Sequence, residues 1–586
     1  MDRLSPYAGG AATRPDDAEP RAFLFLQGPI SPFFDRLGRA LVARGHRVRR
    51  INLHLGDRLF WRLPSVQYRG RLENWRAFVG AYLDREGITD LVIHGDRRPY
   101  HIIAAEEARA RGIAVLATDL GYVRPDWLTL EYDGLTTYSR FPRDPAAIRA
   151  LAARFPEPDL EPRFHTPFAL IAAFDIAYNL GLVFGRPLYP HYRYHSICHP
   201  FAEYAGWINS RTRRFLAGDA SARATSPLPR EAKSYFVVPL QIATDFQLRA
   251  HSRYTDQRDA VRDIIASFAR SGSRRRLAFF VHPLDNGLID WPRIIARLAR
   301  EYRVGDLVEG LLGGTPAEIL RNAAGVITIN STVGTAALYH GVPVKALGNA
   351  IYDVDGLTCQ APLDMFWQDP PAPDPALLRD FVRALVGTTQ VKGGYYERSS
   401  LACAVAGFVD RLEPRPFPLP PPGAAELAAR QPRPVARTVA VLGVSGTLGA
   451  ALARARAMPG VKLHLIDASA AALSRIAEDC RYRGAVVETH QLRRGAELAP
   501  LLSAIQEGCG IDVLIAAGDG GALSPAISQA ARDLFGAMDA VAAVSGGMRR
   551  RGRGEIVLAG GAAGQPATVA GPQAAARAAA ALRAYA

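Results

Sequence analysis

The sequence predicts an α/β fold in three units, each a mostly parallel sheet covered by helices. Three observations predict it. Short apolar runs alternate with amphipathic segments, the apolar runs end at turns, and a proline-dense stretch separates a third such series from the first two. The length of 586 residues agrees with several domains, because a single hydrophobic core stops growing at roughly 250–300 residues.

The first unit opens as a strand, a turn, a helix and a second strand. An apolar run over residues 21–27 ends in Gly28-Pro29, an amphipathic segment follows over 33–44, and a strand-like VRRINL comes next. The pattern then repeats, with expected helices over 75–85 and 101–112 and expected strands over 90–94 and 113–118. We therefore assign residues 21–230 to a Rossmann-like domain with a helical insertion, after a disordered tail over residues 1–20.

The second unit begins at Ser234, and its expected strands are YFVVPL, LAFFVH and GVITIN. Residues 231–411 are assigned to this second Rossmann-like domain, and two such domains with a cleft between them form a GT-B-like arrangement. Residues 412–436 contain EPRPFPLPPPG and QPRP, a proline density that favours an extended, semi-rigid linker. The third α/β unit takes residues 437–586.

The formal charge of +15 could indicate a protein that binds nucleic acid. The basic residues are nearly all arginines and are scattered along the chain, and no nucleic-acid-binding motif accompanies them. The composition therefore argues against a nucleic-acid partner and favours an anionic substrate or an anionic membrane surface. A lineage preference for arginine explains the same charge without any ligand.

Five cysteines and no C-x-x-C pair predict a reducing compartment without a disulfide framework. No signal peptide is expected. The longest apolar stretch, Phe168–Phe184, contains Asp175 and Asn179 and is too short and too polar for a membrane span. A buried helix is expected there, and a helix lying on a membrane surface is the alternative.

Three loops at expected strand ends carry polar or glycine residues. Gly28 permits close backbone approach of a ligand, although a plain tight turn explains it equally. His282 can bind a phosphate or donate a proton, and it can also be structural. Ser331 and Thr332 precede a helix, where they either cap it or help its free N–H groups to bind an anion. Together the last two loops suggest a nucleotide phosphate held between His282 and Ser331/Thr332.

Nine segments in order resemble the capsule polysaccharide synthesis family, whose members look like retaining β-Kdo transferases that use CMP-Kdo. The matching segments cover about residues 21–400 and are FLFLQGPISPFF, INLHLGDRLFW, YRGRLENW, LVIHGDRRPYH, GYVRPDWLTLE, VPLQIATDFQLRAHS, HPLDNG, ITINSTVGTAALYHGVPVKALGNAIYD and FWQDP. The His-Pro and Ser-Thr loops also look like the CMP-binding motifs of bacterial sialyltransferases.

The resemblance implies transfer of Kdo from CMP-Kdo to a lyso-phosphatidylglycerol-type lipid, which starts the linker of a capsule polysaccharide. It implies a cytoplasmic protein peripheral to the inner membrane, with the capsule assembly and export machinery as partner. No cofactor and no metal are expected for the transfer. The alternative is a non-catalytic assembly or export component that binds a nucleotide sugar or a glycolipid.

The resemblance also implies roles for individual residues. Residues expected to bind the CMP phosphate or to lie beside it are His282, Ser331, Thr332, Gln241, Asp285 and Lys345. The expected catalytic residues are Asp119 and His282.

The family commonly shows an acidic pair before Gly-Tyr-x-Arg-Pro, and here Asp119 takes the first position whereas Leu120 takes the second. A carboxylate would act as nucleophile or stabilise charge at the anomeric carbon, with Asp96 and Glu131 as the other candidates. Arg124 would hold the Kdo carboxylate by a bidentate pair. Structural ion pairs at loops explain the same residues without catalysis.

The third unit opens with a glycine-rich turn between a strand and a helix. Gly443, Gly446 and Gly449 form this turn, and Asp467 ends the next strand, at a spacing that suits a ribose-binding carboxylate. This part resembles the short-chain dehydrogenase/reductase family. No Tyr-x-x-x-Lys follows; residues 571–577 read GPQAAAR where that motif is expected, and Gly560-Gly561 stand where the serine is expected. A truncated, inactive domain is expected, which keeps vestigial NAD(P) binding, docks a partner or is a remnant.

Overall fold

The structure, a computed structural model, describes the chain from residue 20 onward in two compact units. One unit comprises residues up to 252 together with 257–432, and the other comprises 253–256 with 433–586. The residues that it does not describe are 1–19, 195–202, 207–230, 232, 243–247, 249, 255, 284, 313–314, 414–418, 431–436, 458–460, 493–497, 518–543, 545–547, 549–554, 560–566 and 571–586.

The first sheet of the larger unit begins with apolar strands that alternate with helices, as the sequence predicts. Its strands are β1 (Ala22–Phe25), β2 (Arg47–Asn52), β3 (Val66–Gln67), β4 (Asp90–His94), β5 (Ala114–Leu120) and β6 (Trp127–Tyr132). Its helices are α1 (Phe33–Ala43), α2 (Leu55–Leu59), α3 (Trp75–Arg85), α4 (Pro99–Ala110), α5 (Pro145–Ala152) and α6 (Phe168–Phe184). All four residues of β1 are buried, as in a parallel strand covered on both faces.

The second sheet of this unit is entirely parallel, in the order β11-β10-β7-β8-β9 across its described strands. These strands are β7 (Tyr235–Pro239), β8 (Arg276–Val281), β9 (Val308–Leu312), β10 (Ala323–Thr328) and β11 (Val344–Ala346). The helices are α7 (Gln257–Ser271), α8 (Trp291–Glu301), α9 (Pro316–Leu320), α10 (Val333–Tyr339) and α11 (Leu363–Phe366). A core that includes Phe236, Phe279 and Trp367 covers one face.

The chain then returns to the first sheet through α12 (Pro375–Thr389), β12 (Gln390–Lys392) and α13 (Arg398–Leu412). Strand β12 pairs antiparallel with β6, so the first sheet runs β12-β6-β5-β4-β1-β2-β3. Phe408 of α13 packs edge-on against Phe33 of α1 with ring centroids 4.9 Å apart. The predicted domain boundary at residue 411 is therefore wrong for β12 and α13, because their apolar faces complete the first core and not the second.

Residues 412–436 are also not uniformly extended. Helix α14 (Ala424–Arg430) lies inside this stretch, where AAELAAR supplies good helix formers after the last proline of the first run. The side chain of Arg430 is buried, and its Nη1 donates to the Ser139 carbonyl at 2.6 Å. The prediction of an extended linker is thus wrong for α14, which is anchored to the first half of the unit.

Helix α6 forms over the predicted residues, but it is not the buried helix that was expected. Its buried residues are Tyr178, Asn179 and Gly181. Tyr178 and Gly181 contact α2, and a Cβ on Gly181 would lie only 3.0 Å from the backbone of Gly56. The opposite side leaves Phe184 71% exposed. The apolar composition of α6 shows that the helix is hydrophobic. It does not show that only one narrow face of the helix is buried against other residues.

The smaller unit has one sheet in the order β15-β14-β13-β16-β17-β18. Its strands are β13 (Arg437–Leu442), β14 (Val461–Asp467), β15 (Val486–Gln491), β16 (Val513–Ala517), β17 (Glu555–Ala559) and β18 (Ala567–Ala570), and its helices are α15 (Thr447–Arg456), α16 (Ala470–Tyr482) and α17 (Leu498–Gly508). All neighbours are parallel except β17 and β18. The order reverses beside β13, as in doubly wound sheets.

The predicted fold class is confirmed: the protein is α/β, with two Rossmann-like sheets in the larger unit and a third Rossmann-like sheet in the smaller one. Several predictions fall outside the described residues. They are the disordered tail except for its last residue, Gly560-Gly561 and the stretch over 571–577.

Candidate functional site

The strand order of the first sheet reverses between β1 and β4, and open α/β sheets bind ligands outside the carboxyl ends of strands at such a point. Gly28 follows β1 there. A Cβ on Gly28 would lie 2.6 Å from the Phe34 ring, so packing by itself explains the glycine. Asp96 and Arg97 follow β4 at the same edge and are the charged residues that this position offers to a ligand.

Asp96 is buried, and one of its oxygens has no partner. Its Oδ2 accepts a hydrogen bond from the Leu135 N–H at 3.0 Å, and the Arg97 Nε lies 3.3 Å away as an ion pair. Its Oδ1 meets no hydrogen-bond donor among the described residues. The Arg97 guanidinium stacks on the Tyr138 ring, 3.9 Å from its centroid, which holds this cation in place beside the carboxylate.

Three residues join the two halves of the larger unit at this edge. Thr137 lies in a short 3₁₀ turn after β6, His251 precedes α7, and Asn349 follows β11. The Thr137 Oγ1 is 2.7 Å from the His251 Nδ1 and accepts a hydrogen bond from the Asn349 Nδ2 at 2.9 Å. The Asn349 N–H in turn donates to the His251 carbonyl at 2.7 Å. We call Asp96, Arg97, Thr137, His251 and Asn349 the junction cluster.

The junction cluster is the strongest candidate for a binding site because it leaves buried polar atoms unpaired. Among the described residues, Asp96 Oδ1, Arg97 Nε, His251 Nε2 and the nearby Arg143 Nε lack hydrogen-bond partners. Each such atom costs about 1–3 kcal/mol unless water or a ligand satisfies it. Burial lowers the pKa of His251 to about 4, so its ring is neutral at pH 7. A polar, anionic ligand with hydroxyl groups would satisfy all of these atoms.

Glu131 is buried close to Asp96 of the junction cluster, and both of its carboxylate oxygens accept hydrogen bonds from protein side chains. The Tyr122 hydroxyl donates to its Oε1 at 2.8 Å, and the Ser139 hydroxyl donates to its Oε2. Burial raises the pKa of Glu131 to about 7, against the opposing effect of these hydrogen bonds, and the nearby Asp96 adds to the rise. Glu131 is therefore a carboxyl group that changes charge near neutral pH while its position stays fixed.

The raised pKa makes the stability of the larger unit depend on pH. The neutral form of Glu131 stabilises the folded state fully below pH 4.5, and this stabilisation is lost as the pH rises through 7. At roughly 1.4 kcal/mol per pKa unit, the loss in unfolding free energy is about 3 kcal/mol. For Glu131→Gln, the unfolding free energy relative to wild type is expected to rise by up to this amount between pH 5 and 8, measured by urea unfolding. The exposed Glu301→Gln is the control, and a pH-independent difference for Glu131→Gln would refute the assignment.

Asp119 lies near the end of β5, and Arg124 lies in the loop that follows this strand. Asp119 is half-buried on β5, opposite Thr129, and its backbone carbonyl accepts a hydrogen bond from the Tyr395 hydroxyl at 2.9 Å. The exposed Arg124 donates through Nε to the Gly121 carbonyl at 3.2 Å. Leu120 points to the opposite face from Asp119, as successive strand residues do. An acid at position 120 would therefore not stand beside the Asp119 carboxylate in this structure.

The second sheet reverses between β7 and β10, and this switch point carries the predicted polar loops. Gln241, after β7, donates through Nε2 to the Asn330 Oδ1 at 2.9 Å. The Ser331 Oγ accepts from the Val333 N–H at 3.2 Å, whereas Thr332 makes no side-chain cap. The half-buried His282 directly follows β8, which pairs with β7 in the sheet. The structure thus places Gln241, His282, Ser331 and Thr332 at one edge of this sheet.

Two of the predicted binding residues, Asp285 and Lys345, make hydrogen bonds within the protein. The Asp285 carboxylate accepts from the Gly287 N–H at 2.9 Å and so shapes its own loop. Lys345 donates from Nζ to the Cys359 carbonyl at 2.9 Å, in the middle of β11 rather than at the strand end. Both contacts account for these residues without a ligand.

The sequence interpretation missed a buried polar network beside Gly28. The Gln27 Nε2 lies 3.2 Å from the Asp57 Oδ1 and 3.2 Å from the Tyr192 hydroxyl, and the His54 Nε2 lies 2.9 Å from the Tyr178 hydroxyl. The signal was available, since the histidine and aspartate in INLHLGD follow the expected strand VRRINL. Burial lowers the pKa of His54, which favours a neutral ring in this network.

In the smaller unit the glycine turn is closely packed. A Cβ on Gly443 would lie 2.2 Å from the Ala517 carbonyl oxygen, and one on Gly449 would lie 2.0 Å from the Gly443 carbonyl oxygen. Gly446 is the N-cap of α15. Both oxygens of the buried Asp467 accept backbone hydrogen bonds at 2.8 Å, from Ser445 and Ser469. The glycines therefore let backbone segments of the turn pack closely together, and the Asp467 carboxylate is already hydrogen-bonded to the protein backbone.

The larger unit is therefore a two-sheet α/β protein with polar loops at the switch point of the second sheet, charged residues at that of the first, and a polar junction between its halves. The model of the family described as capsule polysaccharide biosynthesis protein matches residues 89–396, more than half of the chain. The chain belongs to the capsule polysaccharide biosynthesis family.

Individual relatives agree with this membership. Escherichia coli capsule polysaccharide export protein KpsS is 34% identical over 381 residues, which cover 64% of this chain and 97% of KpsS. Neisseria meningitidis serogroup A capsule polysaccharide modification protein LipB is 31% identical over 389 residues, covering 64% and 91% respectively. Thermosulfurimonas dismutans KpsC, named as a beta Kdo 2,7 transferase, covers 67% of this chain and 99% of its own at 14% identity and a TM-score of 0.35, too distant to support an argument.

Proposed function

We propose that the larger unit transfers Kdo from CMP-Kdo to a lyso-phosphatidylglycerol-type lipid and so starts the capsule linker. The observation that carries this proposal is the junction cluster, in which the buried Asp96 Oδ1 and His251 Nε2 have no hydrogen-bond partner among the described residues and Arg97 lies beside them where the two halves meet. An acidic, polyhydroxylated sugar supplies both the negative charge and the hydroxyl groups that these atoms require.

The donor would bind at the edge of the second sheet. His282, Ser331 and Thr332 stand at the ends of β8 and β10 and would hold the CMP phosphate, with Gln241 fixed beside them by Asn330. Asp285 and Lys345 would act only from a distance, since each is engaged elsewhere. The sugar would then extend across the junction toward the first sheet.

The reaction would be completed by carboxylates of the first sheet. Asp119 would serve as nucleophile or stabilise positive charge at the anomeric carbon, and Arg124 would hold the Kdo carboxylate. Glu131, whose pKa burial raises to about 7, would lie close to these residues and change charge near neutral pH. This chemistry needs only residues of the chain, so we propose that no metal or cofactor takes part in transfer.

A non-catalytic capsule assembly or export component that binds a nucleotide sugar or a glycolipid is the second candidate. Leu120, which occupies the second position of the family's acidic pair, favours it. The two candidates differ in one measurable respect, since only the transferase converts a bound donor. The test is incubation of the purified protein with CMP, a CMP-Kdo generating system and a lyso-phosphatidylglycerol analogue, with the lipid followed by mass spectrometry. CMP binding without a heavier lipid would favour the second candidate.

We further propose that α6 attaches the protein to the inner membrane surface. Among the residues that the structure describes, no helix is both long and apolar enough to cross a membrane. Ile176, Leu180 and Phe184 follow each other at intervals of four and form an exposed apolar stripe along α6. The one carboxylate within the helix, Asp175, accepts a hydrogen bond from Tyr204 at 2.8 Å, which lowers the cost of placing it near lipid.

Substituting the exposed stripe tests this attachment. Phe184→Asp and Ile176→Asp are each expected to lower binding to phosphatidylglycerol-containing vesicles at least about tenfold, because each removes roughly 1.5–3 kcal/mol of apolar burial. Binding is measured by co-sedimentation. Met365, which is 64% exposed on α11, provides the matched control Met365→Asp. Equal binding by all three variants and wild type would show that α6 is not the attachment site.

For the smaller unit we propose a dehydrogenase-like domain without dehydrogenase activity. Its glycine turn supports vestigial NAD(P) binding, and the engagement of Asp467 by two backbone groups means that a ribose would have to displace one of them. Docking to the capsule assembly machinery is the alternative role.

A further inference from the structure

The smaller unit brings together two histidines and a glutamate that no role described above uses. Strands β14 and β15 pair in parallel with His464 opposite Glu488 and Ile466 opposite His490. Because side chains alternate along a strand, Glu488 and His490 project from the same face, which is also the face of His464. The register therefore directs all three side chains to one point beside the sheet.

The distances within this group suit a metal ion. The His464 Nδ1 lies 2.9 Å from the His490 Nε2 and 3.3 Å from the Glu488 Oε2, and the three ligand atoms all lie within 4.8 Å of one another. Donors about 2.0–2.1 Å from a tetrahedral ion are about 3.3 Å apart. Only a small adjustment would bring the three atoms onto one ion. Among the described residues, no other set of three such side chains is as close.

Neighbouring residues hold these ligands in the required orientation. The Cys509 Sγ lies 3.7 Å from the His464 Nε2, so a proton on that nitrogen has an acceptor and the Nδ1 lone pair is left for a ligand. The Lys462 Nζ pairs with the Glu488 Oε1 at 2.8 Å and leaves Oε2 for the ion. Outer contacts of this kind, to the second nitrogen of a histidine and the second oxygen of a carboxylate, are what metal sites use to orient their ligands.

We propose that His464, Glu488 and His490 form a binding site for a divalent transition metal, with Zn²⁺ as the ion that the donor set fits best. Two imidazoles and one carboxylate are ligands that Zn²⁺ prefers, whereas Mg²⁺ and Ca²⁺ prefer oxygen alone. The Glu488 side chain is 47% exposed, so water can reach the fourth position. The site is independent of Kdo transfer, because it lies in the other unit and uses none of the residues assigned to transfer.

Bound metal would also stabilise the smaller unit. Strand β15 lies at the edge of its sheet and is joined to the rest through β14. An ion that ligates residues from both strands crosslinks this edge, and a ligand that binds only the folded form raises its stability. A thermal shift on metal addition is thus a second readout besides binding itself.

The test uses the full chain after treatment with EDTA and removal of the chelator. Zn²⁺ alone is titrated in competition with a chromogenic chelator, and thermal unfolding is recorded with and without Zn²⁺. The variants are Glu488→Gln and His490→Gln, since both residues stand at the sheet edge, whereas the buried His464 is left unchanged to preserve the fold. The control is Glu507→Gln, an exposed glutamate on α17.

The proposal expects one Zn²⁺ per chain in wild type and in Glu507→Gln, with a higher melting temperature on Zn²⁺ addition. In Glu488→Gln and His490→Gln it expects affinity weakened at least tenfold and the thermal shift lost. Absence of stoichiometric binding in the wild type, or equal affinity in both site variants, would overturn it. In that case the three side chains form a hydrogen-bonded group only.

Discussion

His251→Ala is expected to lower Kdo transfer by about 100- to 1,000-fold, the usual cost of losing a preorganised hydrogen-bonding group from an active site. His251 bonds to Thr137 across the two halves of the larger unit, and its Nε2 has no partner among the described residues. The substitution removes both one of the contacts between the halves and a group that would face the proposed sugar. The rate is measured by mass spectrometry of the lipid product.

Two further variants distinguish binding from folding. His251→Gln keeps an amide that can hydrogen-bond and is expected to recover part of the activity, whereas His340→Ala, at an exposed histidine after α10, is expected to retain all of it. The melting temperature of each variant is compared with wild type. Full activity in His251→Ala with an unchanged melting temperature would show that the junction cluster does not contact the reacting sugar.

Asp119→Asn and His282→Ala are expected to separate catalysis from donor binding. Asp119→Asn should lower transfer roughly 1,000-fold, because it removes the proposed nucleophile or the charge that stabilises the anomeric carbon, and leave CMP binding intact. His282→Ala should weaken CMP binding and transfer together, because the imidazole is assigned to the phosphate. CMP affinity is measured by calorimetry and transfer by lipid mass.

The control for these variants is Asp306→Asn, at an exposed aspartate before β9, which should behave as wild type. If Asp119→Asn kept normal transfer, Asp119 would not be catalytic, and Glu131 or Asp96 would be the next carboxyl groups to substitute. If His282→Ala bound CMP with unchanged affinity, the phosphate would have to lie elsewhere along the strand ends of the second sheet.

The sequence was informative where local patterns decide the structure. Apolar runs such as residues 235–239 form the predicted strands, and the loops with Gly28, His282 and Ser331 lie at strand ends as expected. Parallel strands with helices between them leave few other arrangements, so these loops gather at one edge of each sheet. Local sequence therefore predicts most of the fold and the positions of the loops that we propose bind the donor.

The junction cluster could not be predicted in this way. Thr137 is 114 residues from His251 and 212 from Asn349, and nothing in the local pattern of any of them indicates the others. The proposed metal-ligand group could not be predicted for the same reason, since only the register of β14 and β15 brings His464 close to Glu488 and His490. Likewise, the apolar sequence of α6 does not show which of its faces is covered. Contacts between distant segments depend on how the elements pack together, and a single sequence does not reveal this packing.

The most direct test of the account is acceptor-dependent turnover by the wild-type protein. CMP release and lipid mass are measured in the same reaction, with CMP-Kdo generated in place and the lyso-phosphatidylglycerol analogue present or omitted. The account predicts one CMP released for each Kdo gained by the lipid, and neither product in the absence of acceptor. Tight CMP binding with no acceptor-dependent CMP release and no heavier lipid would contradict transfer and leave a nucleotide-sugar-binding component of capsule assembly.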